Sequence, residues 1–241
     1  QTIESAKDQK EGNIQDEEDL SDFVAEIIVN TDAATASKVI EEINDIETDT
    51  NLSLEVMSGI SNKDENKLND LSDEIKDEIE QLAEDAVQNA ENTSEDSQKI
   101  ADVVSVVNND LINKVVEDVS QTSVDDKQSL SAKVLKAIVD TDSTKVEIID
   151  DNIKDIIIEQ TIESAKNQEE GIGILEEENF SDIVSDIIVN TDNDTAIKMI
   201  EEINDVETDT NLSLEVMSGI SNKDSNKLND LSLNIQDEIE H

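Results

Sequence analysis

The chain has 241 residues, 63 of them Asp or Glu against 17 Lys and no Arg, giving a formal net charge of −46. A field this negative repels phosphate backbones and anionic lipid surfaces, so nucleic acid and membrane surfaces are not expected as partners. The absence of Cys excludes disulfides and thiolate metal sites, and no apolar run approaches the roughly 18 residues of a membrane span.

Such composition, with only Phe23 and Phe180 as aromatics, also occurs in disordered chains. Leu, Ile, Val and Phe nevertheless supply 68 of the 241 residues, well above the roughly 20% that marks disorder. A folded protein with an aliphatic core is therefore expected. Its crowded carboxylates should weaken it at low ionic strength, and salt or divalent cations should strengthen it.

In chain order, "QTIESAKDQKEG" at the start lacks the apolar stretch of a signal peptide. Leu20, Phe23, Val24, Ile27 and Ile28 then follow three- and four-residue steps, as do Val39, Ile40, Ile43 and Ile46, and Leu52, Val56, Met57 and Ile60. Each set lies on one face of a helix. Leu68, Leu71, Ile75, Ile79, Leu82, Ala86 and Ala90 continue without a turn signal and predict one longer helix.

Ile100 to Val119 is rich in β-branched residues and could form paired strands. Val103, Val104, Val107 and Leu111 also fit a helix face, and helix is the reading taken. Val146, Ile149, Ile153, Ile156, Ile157 and Ile162 predict a second long helix.

Between these runs lie polar clusters: "NTD" at Asn30, "TDTN" at Thr48, "NKD" at Asn62, "TSED" at Thr93, "NND" at Asn108, "VDD" at Val124 and "DTD" at Asp140. Ser, Thr, Asn and Asp cap helices and support turns, so each cluster reads as a break between helices. The chain has no Pro and five Gly, which argues against a β-sandwich. Short helices joined by tight turns predict an all-α fold of antiparallel hairpins, stacked as an elongated α-solenoid or chained as bundles.

A long repeat overlies this pattern. "QTIESAK" at Gln1 returns at Gln160, and after a one-residue insertion near Gly171 to Ile174 the offset settles at 160. From Ile40 to Asp64 only Ile46 differs from its counterpart, Val206. Residues 1–159 form a first copy and 160–241 a partial second one. Positions that should face water match as well as apolar ones, which packing does not enforce, so a recent tandem duplication is the simplest cause.

No catalytic or cofactor-binding residue is assigned, and no metal ligand. The spacing closest to a metal motif is "NTDNDTAIKMIE", Asn190 to Glu201, with Asn190, Asp192, Asp194, Ile197 and Glu201 placed as in a calcium-binding helix–loop–helix. Its sixth position is Thr195 where Gly is needed. The first copy keeps Asn30, Asp32 and Glu41 but has Ala34, and a helix turn capped by Asp and Thr is the preferred reading.

Asp140 to Ser143, near Asp150 and Asp151, is a weaker version of the same pattern. "GIG" at Gly171 to Gly173 lacks the rest of a phosphate loop. Met57 and Met217 read as core fillers, and Lys63, Lys67, Lys223 and Lys227 as solvated charge relief. His241, the only His, reads as the remnant of an affinity tag on a piece of a longer protein.

In style the chain resembles the repetitive regions of giant acidic bacterial surface proteins and adhesins. The resemblance is one of composition. It implies an extracellular or cell-surface setting. Separately, the residues give no sign of a cofactor, and none is expected. The expected role is non-catalytic: an extended spacer, stalk or scaffold whose partners are further copies of the same repeat. The alternative is a helical binding module or filament-forming segment that engages a protein partner or itself, modulated by divalent cations.

Overall fold

In the computed structural model of the chain, residues 20–45, 52–91, 93–122, 129–169, 179–205 and 211–231 are described. Every regular element among them is an α-helix. The chain divides into two compact units, Gln1–Thr122 and Ser123–His241. Gln160, where "QTIESAK" recurs, lies inside a helix of the second unit, Asp151–Glu169.

The first unit contains α1 (Leu20–Asn30), α2 (Ala33–Asn44), α3 (Leu52–Lys63), α4 (Lys67–Asn89), α5 (Ser94–Val106) and α6 (Asn109–Thr122). The polar clusters stop and start these helices as their chemistry requires. Asp32 Oδ1 accepts from the Thr35 amide at 3.0 Å, and Thr93 Oγ1 accepts from the Asp96 amide at 3.1 Å. Asn108 Oδ1 accepts from the Leu111 amide at 3.0 Å. Each caps an amide that the first helical turn leaves without a partner.

The β-branched stretch from Ile100 to Val119 is thus two helices broken at Val107 and Asn108, and the strand alternative is not adopted. Leu68 to Asn89 lies in one element, with a local departure from helical geometry at Ile75 (φ −137°, ψ 38°). The clusters at Thr48 and Val124 lie outside the described residues.

Consecutive helices pair: α1 with α2, α3 with α4, α5 with α6. First helices also pack on first helices, α1 on α3 and α3 on α5, while second helices do the same, α2 on α4 and α4 on α6. The core between the two rows is aliphatic, with Ile28, Ile40, Ile43, Leu52, Leu54, Met57, Leu68 and Leu82 each at most 1% exposed. Burying each such side chain stabilises the unit by about 1.5–3 kcal/mol.

One close approach needs glycine. A Cβ on Gly59 of α3 would lie 2.8 Å from Ala25 Cβ of α1.

Polar side chains tie successive turns together. Lys67 Nζ donates to the Thr31 carbonyl at 2.9 Å. Asn69 donates to the Val106 carbonyl at 2.7 Å and accepts from the Asn108 amide at 2.7 Å.

The second unit contains α7 (Leu130–Asp142), α8 (Thr144–Ile148), α9 (Asp151–Glu169), α10 (Phe180–Asn190), α11 (Asn193–Asp205) and α12 (Leu212–Lys223), followed by helix at 225–231. The two-row pattern recurs: α7 packs on α10 and α10 on α12, while α9 packs on α11. The expected single helix from Val146 to Ile162 is instead two. Ile149 is extended (φ −62°, ψ 130°) between α8 and α9. Asp150 stands just before α9 and its carbonyl accepts from the Ile153 and Lys154 amides, both at 2.9 Å. Asp is favoured at such a start, so Asp150 marks a break that the apolar spacing hides.

Among the described residues, no helix is long and apolar enough to cross a membrane.

Candidate functional site

The calcium-like spacing resolves into a capped turn. Asn190 ends α10, Asp192 precedes α11, and Asp194, Ile197 and Glu201 all lie within α11. Asp192 Oδ1 accepts from the Thr195 amide at 2.8 Å, and its Oδ2 accepts from the Thr195 hydroxyl at 2.7 Å. Burial disfavours the Asp192 carboxylate, yet these bonds and the nearby Lys154 outweigh it, and its pKa is lowered. Thr195, where a loop would need Gly, is the capping partner. Asp32 and Thr35 repeat the arrangement in the first copy.

Asp140 takes the Lys136 ammonium. Asp142 Oδ1 accepts from the Thr144 amide at 3.1 Å and hydroxyl at 2.6 Å. The two carboxylates of "DTDS" are therefore engaged, Asp140 in an ion pair within α7 and Asp142 at the start of α8. Gly171 to Gly173 lie outside the described residues.

An open cleft of about 460 Å³ is lined by Glu147 of α8, Asp151 and Lys154 of α9, and Asp192, Asp194, Thr195 and Lys198 of α11. Lys198 is drawn to Asp155 at 2.7 Å, and Lys154 lies 4.0 Å from Asp151. A smaller cleft of about 190 Å³ in the first unit holds Lys76, which bridges Glu80 at 3.5 Å and Asp110 at 3.8 Å. Both clefts set ammonium groups among carboxylates that bind them. Among the described residues no group of three or more Asp, Glu, His or Cys converges as metal ligands do.

Sequence reasoning missed the strongest electrostatic cluster. Lys99 of α5, with a side chain only 17% exposed, meets Glu55 of α3, Glu95 at 3.0 Å and Asp96 at 3.6 Å. Burial opposes its charge, but the three carboxylates outweigh that cost and raise its pKa well above the usual lysine value. The contact crosses from one hairpin to the next, 44 residues away, and no local motif encodes it.

The lysines after the turns are likewise not free charge relief. Lys63 binds Asp22 at 3.0 Å. Lys223 binds Asp186 at 2.6 Å, and Lys227 donates to the Thr191 carbonyl at 2.8 Å. The signal that could have found them is their recurrence at equivalent turns in both copies.

Several carboxyl groups are held uncomfortably. Burial raises the pKa of Asp118, offset in part by Lys114 at 2.7 Å, and Asp118 Oδ2 is buried without a hydrogen-bond partner. Burial likewise raises Asp85. It also raises Glu202, with help from Glu159, Asp205 and Asp155.

A carboxyl with a raised folded-state pKa binds its proton more tightly folded than unfolded, so stability rises as pH falls through that pKa. Asp192 and Asp32 have the opposite sign: their lowered values stabilise the fold above the unfolded pKa, a contribution lost as pH falls through the folded one. A thermal melt series from pH 7 downward should therefore show the melting temperature first rising, then falling below the ordinary carboxylate range of about 4. A steady fall from neutrality would contradict this balance.

No family model matches the chain, and a search of curated proteins finds no match.

Proposed function

We propose that the chain is a non-catalytic structural segment, an extended spacer or stalk in which helical hairpins stack as an α-solenoid. The observation that carries this reading is the two-row packing within each unit, first helix on first helix and second on second. A hairpin held this way buries one face on its predecessor and offers another to its successor, so length grows by addition. The near-identity of the two copies at water-facing positions fits a role in which length matters more than a particular surface. The ionised groups mapped above stabilise turns and bridge hairpins, which is structural work. The acidic, repetitive composition favours a cell-surface or matrix setting.

The test is a series of chains carrying one, two and three full copies of the 160-residue block, measured by small-angle X-ray scattering. Four hairpins per copy at about 10 Å spacing add about 40 Å of length per copy, and the radius of gyration should rise almost linearly. Three copies should give roughly 35 Å or more, against about 23 Å for a compact globule of the same length. Growth along the globular curve refutes the spacer role.

A further inference from the structure

The same twelve residues, "LSLEVMSGISNK", form both α3 and α12. Their exposure differs sharply. Leu54 and Met57 of α3 are each 1% exposed, whereas Leu214 and Met217 of α12 are 70% and 45% exposed. Ser53, Ser58 and Ser61 are buried on α3, while Ser213, Ser218 and Ser221 are exposed on α12.

What differs is the cover. Besides α1 and α4, α3 packs against α5, and Leu54 and Met57 share a small apolar crevice with Ala83, Ala86 and Val87 at the end of α4, Ile100 and Val103 of α5 and Val115 of α6. The lid is also fixed by charge, since Glu55 of α3 takes the ammonium of Lys99 from α5. On α12 the equivalent Glu215 is exposed. The first unit thus displays, on an identical sequence, what closes this face.

We infer that the α12 face bearing Leu214, Met217 and Glu215 is a docking site for a helical hairpin with the chemistry of α5–α6. Its occupant presents an aliphatic stripe at the places of Ile100 and Val103, and a lysine at the place of Lys99 opposite Glu215. This inference rests on the proposed stacking and names the chemistry of the successor hairpin; the titration below reads this one face, whereas the scattering series reads the growth of the array.

A fluorescently labelled peptide of residues 91–122, titrated with the full chain in about 0.15 M salt to screen mutual repulsion, tests it by anisotropy and by the helicity gained on mixing. Saturable one-to-one binding is expected. Leu214→Asp with Met217→Asp should weaken it by roughly a hundredfold or more, and because both side chains are exposed the double variant keeps its own helical signal. A peptide carrying Lys99→Glu should bind weakly to the native chain and regain affinity for a chain carrying Glu215→Lys. Absence of saturable binding, or binding indifferent to the double substitution, overturns the inference. So does self-association of the chain through this face that the peptide fails to compete away, since the occupant is then a second copy.

Discussion

Leu54→Asp abolishes the cooperative unfolding transition of the first unit, while Leu214→Asp leaves stability within about 0.5 kcal/mol of the native chain. The two positions are the third residue of the same twelve-residue helix sequence. Leu54 is 1% exposed beneath α5 and Leu214 is 70% exposed. Truncating a buried leucine alone costs about 2–5 kcal/mol, and a carboxylate left in that crevice without a partner costs several more. That total rivals the about 5–15 kcal/mol holding a typical domain together. Urea unfolding followed by circular dichroism reads both variants, and the second unit's transition should survive in the Leu54→Asp chain. Equal effects at the two sites would show that the helices share one environment.

Gly59→Val and Gly219→Val each cost about 3 kcal/mol or more. Helical glycine normally sacrifices about 1 kcal/mol relative to alanine, so its recurrence at equivalent places calls for a packing reason. A Cβ on Gly59 would stand 2.8 Å from Ala25 Cβ, and one on Gly219 would stand 2.3 Å from Ser185 Oγ and 2.8 Å from its Cβ. These are helix-to-helix contacts within one row, α3 on α1 and α12 on α10, and relief requires those neighbours to move apart. At Gly219 the intruding group also disturbs Ser185, whose hydroxyl donates to the Val216 carbonyl at 3.1 Å. Gly→Ala should be milder because regained helix propensity offsets part of the clash. Thermal melts of the four variants check the order, and a stabilising Gly219→Val would mean that α10 and α12 do not approach so closely.

The all-helical class and most helix limits were legible because apolar spacing and polar caps are local signals. The turns at Asn30, Asn62 and Asn108 carry the Asn and Asp that their geometry uses. The break at Ile149 was hidden because Val146, Ile153 and Ile157 keep helical steps across it, while Asp150 looked like one more acidic residue in a chain full of them.

The lysines at 63, 67, 223 and 227 resemble solvated charge because their partners lie 36 to 41 residues away. Met217 was expected in the core from its helix face, yet it is 45% exposed. Phe23 likewise sits on the apolar face of α1 and is 43% exposed, while its counterpart Ile183 on α10 is 5% exposed, on a helix that also meets α7. Exposure belongs to what packs against a residue, so identical sequence cannot specify it.

The proposed stacking, if it carries on from one unit to the next, would set equivalent positions in successive copies four hairpins apart. The chain has no cysteine, and Glu65→Cys with Ser225→Cys places two spin labels at exposed, equivalent turn positions. Double electron–electron resonance should give a narrow distance distribution centred near 40 Å, from about 10 Å per stacked hairpin. A centre below about 25 Å, comparable to distances inside a compact globule of this length, would contradict the stacked array.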